Sequence, residues 1–430
     1  MERSEIRPGA GGQVTDEPSG GQHGVAQPVM AGVLAAVVGI TSSSAVIVAG
    51  LRGVGASSAQ AASGLFALCL VAGVITCWLS LRHRMPIMAA WSTPGAALLV
   101  GTGALRGGWP AAVGGFIIVA ALIVVTGLWP MLGRVIAAIP VPIAQGMLAG
   151  IVLELCLTPV RGLAAHPWLV GPILLTWLVL LRLAPKWAVP AAFGVTLAVV
   201  GADAARHGGV HGSFLPHLDV TMPAFTWASL LSVAIPLYIV TMAGQNISGV
   251  AVMASYGYQV PWREAMTVTG IATAASAAVG GHALNLAAIS ASLCASPDAD
   301  PDPGRRWIAS SVCGAGYVVI GLLSAAFSTF ASAVPQDVIG AVAGLALLGT
   351  LTSSLAGALS AETGRESAAI TFVMAASGLT FLGIGAAFWA LIAGLLVRAV
   401  LTGRPPGRDR RSAGGQGPPA PGSSPRRVAR

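Results

Sequence analysis

Long apolar runs, separated by short polar stretches, fill the chain from about residue 28 to about residue 401. The runs at 29–50, 111–130 and 225–240 reach or approach the roughly 20 residues that an α-helix needs to cross about 30 Å of hydrocarbon. Helices are favoured in lipid because the backbone there must satisfy its own hydrogen bonds. The pattern therefore predicts an all-α polytopic membrane protein with about fourteen transmembrane segments.

The longest polar interruption inside the apolar region, at 203–223, separates seven predicted segments from seven. Halves that each cross the membrane an odd number of times have opposite orientations, so two inverted repeats are expected. Twelve crossings, with two broken segments re-entrant, are the alternative. The expected organisation begins with a disordered cytoplasmic tail at 1–27 and a first repeat at 28–203. An extracytoplasmic linker at 204–224 leads to a second repeat at 225–401 and a disordered basic cytoplasmic tail at 402–430.

The composition argues against a soluble enzyme. Of the 430 residues, 55% are hydrophobic and 9% are charged, whereas about a quarter of the residues in a soluble domain are charged. The net charge of +8 does not indicate nucleic acid as a partner, because nineteen of the 23 Lys and Arg residues fall on one face of the predicted bundle or in its tails. Positive residues accumulate on the cytoplasmic side of a membrane, so both termini are expected there.

Two short apolar segments, at 85–95 and 280–287, are broken by Pro or Gly and carry polar side chains. They are the third and tenth predicted segments, which are corresponding positions in the two halves, and such a pair indicates a substrate site near the bilayer midplane. Pro94 suits the first turn of a half-helix capped by Ser92 or Thr93. In the second segment, Asn285 is expected to cap a half-helix from Leu286 to about residue 295. A proline-kinked helix is the alternative for the first segment.

Facing half-helix N-termini would hold an anion, because their free N–H groups and helix dipoles favour negative charge. The predicted carboxylate site lies between 93–95, which includes Thr93 and Gly95, and 285–287, which includes Asn285, Leu286 and Ala287. Polar clusters at 39–44 and 241–248 are expected to line the same cavity. Helix-to-helix hydrogen bonding is the alternative role for any one of these polar residues. The side chains selected from the clusters and from the first break are Ser42, Ser43, Ser92, Gln245 and Asn246.

Two ionisable residues inside predicted segments, His282 and Glu154, are candidates for proton coupling. The alternatives are an interfacial histidine that bonds a backbone carbonyl and a glutamate near the outer surface. The five cysteines are scattered without a CxxC spacing, so no metal site is expected. No cofactor is expected either, because no nucleotide-binding loop or nucleophile motif is present.

Three motifs are distinctive: Trp-Ser-Thr-Pro-Gly at 91–95, Thr-Met-Ala-Gly-Gln-Asn at 241–246 and Gly-Gly-His-Ala-Leu-Asn-Leu-Ala at 280–287. They resemble motifs of the benzoate:proton symporter family of bacterial inner membranes, and the likeness extends over 28–401. The resemblance implies uptake of benzoate or a similar aromatic carboxylate with protons across the bacterial inner membrane. It also implies the nucleobase-transporter and anion-exchanger architecture, with a core domain, a gate domain and substrate between the third and tenth segments. A homodimer is a further expectation.

The chain departs from the nucleobase branch of that architecture, which tends to place acidic or His residues where this chain has Gln245, Asn246 and Asn285. Amides in place of carboxylates fit an anionic substrate, because a neighbouring carboxylate would repel it. The rival hypotheses are a nucleobase or inorganic-anion transporter of the same fold, a channel, and a non-transporting membrane scaffold.

Overall fold

The structure is a computed structural model that describes residues 25–129, 131–132, 134, 138–206, 215–332, 335–360, 364–382 and 384–402. Most of both expected tails, and the middle of the expected linker, lie outside these residues. The first helix begins at Ala26 and another helix continues to Arg206, close to the expected boundaries at 27/28 and 203/204. The domain organisation stays a prediction.

The described part of the chain is mainly helical, with two strands of three residues. The helices of the first half are α1 (Ala26–Gly53), α2 (Ser58–His83), α3 (Thr93–Thr102), α4 (Gly108–Leu128), α5 (Val141–Ala165), α6 (Pro167–Leu183) and α7 (Ala188–Arg206). Those of the second half are α8 (Ser229–Ser255), α9 (Trp262–Ala277), α10 (Ile289–Ala295), α11 (Trp307–Gly321), α12 (Ser324–Ser332), α13 (Gln336–Leu359), α14 (Arg365–Ala376) and α15 (Ala386–Thr402). The strands are β1 (Ala89–Trp91) and β2 (Leu284–Leu286).

Seven helical stretches in the described residues are long and apolar enough to cross a membrane, and an eighth is added if α11 and α12, bent by 54° at their junction, form one span. The seven are α1, α2, α4, α5, α8, α13 and Pro185–Ala202. This confirms a polytopic helical membrane protein. The expectation of an all-α fold is wrong in one detail, because the two broken segments contribute the strands. The count of fourteen and the inverted repeats remain predictions.

Small residues let the helices approach each other closely, as is typical of membrane bundles. A Cβ on Gly73 of α2 would lie 2.4 Å from the backbone oxygen of Gly314 in α11, and a Cβ on Gly314 would lie 2.7 Å from the backbone oxygen of Gly73. The backbones of α2 and α11 are therefore in direct contact. A similar approach of Gly64 in α2 to Gly280 brings the turn before β2, where Gly280 has a φ of +95°, against the same helix.

The helices form two packed groups. Helices α1–α4 pack with α8–α11 around the two strands, and α5–α7 pack with α13–α15. The groups meet where α1 contacts α7 and α13 and where α3 contacts α5. This boundary lies beside the broken segments, so the arrangement places the predicted binding residues where the two groups adjoin.

Candidate functional site

The two broken segments meet as antiparallel strands inside the helical bundle. The pairing continues past both strands, because Ser92 donates its N–H to the carbonyl of Ala283 at 2.9 Å and Ala287 donates to the carbonyl of Met88 at 2.9 Å. Isolated extended backbone is costly in lipid unless its polar groups find partners. Each broken segment supplies those partners for the other, so the two form one structural unit.

Threonine side chains satisfy the outer edges of this strand pair. The Thr76 hydroxyl donates to the carbonyl of Ala89 at 2.8 Å and accepts from the N–H of Ala89 at 3.0 Å. On the other strand, Leu284 donates its N–H to the hydroxyl of Thr273 at 2.9 Å. Thr76 lies in α2 and Thr273 in α9, so the helix preceding each break supports the strand that follows it.

Helix α8 contributes a further support through an irregular turn. Residues Met242–Asn246 form a π-helical turn, a distortion that often occurs at functional sites. The Asn246 amide oxygen accepts the N–H of Leu286 at 2.8 Å, and Asn246 itself is fully buried. Asn246 therefore holds β2 in place. This residue, predicted to bind substrate, has a structural hydrogen bond, although its partner is a strand and not a second helix.

The start of α3 agrees with the sequence prediction. The Ser92 hydroxyl accepts the N–H of Gly95 at 3.1 Å, and Pro94 lies in the first turn. The Thr241 hydroxyl donates to the Ser92 hydroxyl at 2.9 Å. Ser92 is thus the cap of a separate half-helix, and the alternative of a continuous kinked helix is wrong because β1 ends directly before the cap.

The start of the second half-helix differs from the prediction. Helix α10 begins at Ile289 and has only seven residues, and Ala288 precedes it without a side-chain cap. Asn285 is not the cap, because it lies in β2 opposite Ala90 and its amide donates to the carbonyl of Leu286 at 2.8 Å. Its amide oxygen is buried and has no hydrogen-bond partner among the described residues. Strand pairing has taken the place of capping at this position.

A cavity of about 330 Å³ lies between the strand pair, α1, α8, α11 and α13, a size within the usual range for a small-molecule site. Its polar lining includes the side chains of Ser42, Ser43, Thr93 and Gln245. The amide of Gln245 makes no hydrogen bond with any described residue and is therefore available to a ligand.

One wall of the cavity is aromatic. The rings of Trp91 and Tyr317 lie 4.9 Å apart at an interplanar angle of 46°. Trp91 donates its indole N–H to the Ser43 hydroxyl at 2.7 Å, and the Tyr317 hydroxyl lies 3.2 Å from that of Ser290. These bonds fix both rings, so the wall is preformed for a flat apolar group.

The structure divides the predicted binding residues into two sets. Those that line the cavity are Ser42, Ser43, Thr93, Gln245 and Ala287. Those that are absent from the lining are Ser92, Gly95, Asn246, Asn285 and Leu286. The second set is buried and lies behind the cavity wall, where Ser92 and Asn246 position the backbone that the ligand would meet.

The two proton-coupling candidates also lie outside the lining. His282 is fully buried, with its ring 6.4 Å from that of Phe116, and its Nδ1 lies 3.2 Å from the carbonyl of Ala283. Its Nε2 has no partner among the described residues. Glu154 is exposed on α5 and pairs with Arg161.

Sequence reasoning missed several lining residues, among them Tyr317 and Lys186. Tyr317, one of four tyrosines in the chain, interrupts an apolar run, which is a signal that amphipathic rings often give. Lys186 was counted only as a topology marker, yet it is the one charged residue that lines this cavity in the described part of the chain. The cavity thus combines uncharged polar groups, an aromatic wall and a single cation.

These features define a polytopic membrane transport protein, with irregular backbone paired across the bundle and a ligand-sized cavity beside it. Two solved structures share the fold. The transmembrane domain of the cyanobacterial bicarbonate transporter BicA matches with a TM-score of 0.53 at 14% identity, over 87% of this chain and 96% of that one. The anion transporter SLC26A9 matches with a TM-score of 0.60 at 12% identity, over 88% of this chain and 65% of that one.

Sequence comparison identifies the family. Residues 24–400 match the model of the benzoate membrane transport protein family. The chain is 40% identical over 375 residues to the inner membrane protein YdcO of Escherichia coli strain K12, covering 87% of this chain and 95% of that protein. It is 30% identical over 344 residues to the benzoate membrane transport protein of Acinetobacter baylyi, covering 79% and 86% respectively. The chain belongs to the benzoate membrane transport protein family, which confirms the resemblance noted in its motifs.

Proposed function

We propose that this protein is a secondary transporter that carries benzoate or a similar aromatic carboxylate together with protons. The observation that carries the proposal is the cavity, in which the Trp91 and Tyr317 rings adjoin the N-terminal residues of α3 and the free amide of Gln245. Aromatic rings and hydrogen-bond donors in one cavity match the two ends of an aromatic acid. The family membership supports the same substrate class.

In the proposed complex, the aromatic ring packs on the side of the cavity formed by Trp91, whose ring is backed by that of the fully buried Tyr317. The carboxylate accepts hydrogen bonds from the Gln245 amide and the Thr93 hydroxyl, near the positive end of the ten-residue helix α3. Helix α10 adds less to this field, because it is about a turn shorter than α3. No Asp or Glu lines the cavity among the described residues, so no carboxylate of the lining repels a bound anion.

We further propose the fourteen-segment topology of two inverted repeats, with both termini in the cytoplasm of a bacterial inner membrane. The matching roles of Thr76 and Thr273, each supporting the strand that follows its helix, favour such a repeat. Under this topology the cavity opens toward the cytoplasm, because Lys186 lies in its lining with 60% of its side chain exposed. His282 and Glu154 remain the candidates for the coupled proton, and a homodimer remains a proposal.

The experiment is uptake of labelled benzoate by proteoliposomes that contain the purified protein, with and without an inward proton gradient. Gradient-driven accumulation that an uncoupler abolishes is expected. Unlabelled uracil, sulfate and bicarbonate are added as competitors, because nucleobases and inorganic anions are the substrates of the rival hypothesis. Competition by one of these without benzoate uptake would replace the substrate. Unsaturable flux would indicate a channel, and no flux of any of them in folded protein would favour a scaffold.

A further inference from the structure

The mouth of the cavity carries an ion pair that the proposed binding mode does not use. Lys186 lies in the turn Pro185–Trp187 between α6 and α7, and its Nζ is 3.7 Å from an Asp298 carboxylate oxygen. Both side chains are largely solvent-exposed, at 60% and 83% respectively. The distance is long for a charge-assisted hydrogen bond. The pair is therefore loose enough for another carboxylate to take the place of Asp298.

The two partners come from different packed groups of helices. Lys186 belongs to the group of α5–α7 and α13–α15, whereas Asp298 follows α10, whose first residue, Ile289, also lines the cavity. The loop that carries Asp298 is firmly held. Arg306 donates to the backbone carbonyls of Ala295 and Asp300 at 2.8 and 2.7 Å. The Asp298 carboxylate is thus presented at a defined place across the mouth from Lys186.

We propose that Lys186 is the residue that selects anions at this mouth, and that Asp298 is a built-in competitor that occupies Lys186 while the cavity is empty. An arriving carboxylate displaces Asp298 from the ammonium group and then moves inward to the Gln245 amide. A carboxylate leaving the cavity is exchanged for Asp298 in the reverse order. The proposal deepens the proposed function and rests on it, since it concerns the anionic group of the same substrate.

The charge of the lining supports this assignment. Lys186 is the single charged residue among the described residues of the cavity wall, so it is the one lining side chain whose formal charge favours an anion over a neutral molecule. Attraction at an exposed mouth is weak and screened by salt. A change of about two- to fivefold in affinity is expected, which is the range measured for exposed ion pairs.

The test is equilibrium binding of labelled benzoate to the purified full-length protein at low and high ionic strength. Lys186→Gln is expected to raise the Kd about two- to fivefold at low salt, and the difference should shrink at high salt. Lys186→Arg should retain the wild-type Kd. Asp298→Asn should lower the Kd, because the competing carboxylate is gone. The double variant should match Lys186→Gln, because Asp298 acts only through Lys186.

The matched control is Arg182→Gln, which removes an exposed positive charge near the end of α6, four residues before Lys186 and outside the cavity lining. It should leave the Kd unchanged. Equal Kd values for Lys186→Gln and Arg182→Gln would overturn the proposal, and so would an unchanged or raised Kd in Asp298→Asn. Either result with wild-type benzoate binding intact would leave the proposed function standing. Failure of the folded wild-type protein to bind benzoate would instead overturn the proposed function and this inference with it.

Discussion

Replacement of Thr76 by valine tests whether the strand pair depends on its side-chain supports. The hydrogen bonds from Ser92 to Ala283 and from Ala287 to Met88 alternate along an antiparallel pair. By this alternation the N–H and carbonyl of Ala89 point away from β2. The Thr76 hydroxyl satisfies both groups, at 3.0 and 2.8 Å.

The magnitude follows from burial. Thr76 and Ala89 are both 0% exposed, so water does not replace the lost hydroxyl. Valine has nearly the same shape as threonine, so packing is retained and the loss is confined to hydrogen bonding. A buried group left without a partner costs about 1–3 kcal/mol. Two such groups make Thr76→Val about 2–6 kcal/mol less stable than the wild-type protein.

The assay is thermal unfolding of the purified protein in detergent, followed by tryptophan fluorescence, together with the Kd for benzoate. Thr76→Val should lower the unfolding midpoint and weaken binding, because Ala90 and Trp91 of the cavity wall follow Ala89 directly. Thr269→Val is the matched control. Thr269 is equally buried, but its hydroxyl bonds only to carbonyls of its own helix, at 2.8 and 3.2 Å.

Thr76→Ser, which keeps the hydroxyl, should restore most of the lost stability. The reasoning is refuted if Thr76→Val and Thr269→Val have the same unfolding midpoint and the same Kd. That result would mean that the outward-facing groups of Ala89 do not depend on the side chain of Thr76.

Three further predictions address the cavity, the packing and the coupling. Gln245→Glu should weaken benzoate binding roughly a hundredfold, because like charges about 5 Å apart at an effective dielectric constant near 20 repel by about 3 kcal/mol. Gln245→Ala, which adds no charge, should weaken binding only severalfold. Equal Kd values for the two variants would show that charge in the cavity is unimportant. Gly73→Ala should lower the unfolding midpoint, because its Cβ would lie 2.4 Å from a backbone oxygen, whereas Gly101→Ala, with no neighbour within 4 Å, should not. His282→Gln should abolish gradient-driven accumulation but preserve benzoate exchange. Glu154→Gln, at an exposed position, should leave both activities unchanged. The reverse pattern would make Glu154 the proton carrier.

Local sequence determined the features that depend on a few neighbouring residues. The apolar runs defined the membrane helices, because each must be long and continuous enough to cross hydrocarbon. Pro94 and Ser92 marked the start of α3, because capping involves groups only three residues apart. The breaks in the two segments also pointed to the part of the bundle that holds the cavity, and Ser42, Ser43, Thr93, Gln245 and Ala287 line it. Their role in binding stays a prediction.

The tertiary structure alone decided how the two breaks are used. Ala90 pairs with Asn285 across nearly two hundred positions of chain, and this pairing turned a predicted helix cap into a strand residue. Tertiary packing also brings Tyr317 and Lys186, which lie in distant parts of the chain, into the lining of one cavity. Lipid offers no water to the exposed backbone of a broken helix, so its polar groups must find partners elsewhere in the fold. Local sequence shows that such groups exist, but only the packed bundle determines which residues satisfy them and which are left to meet a ligand.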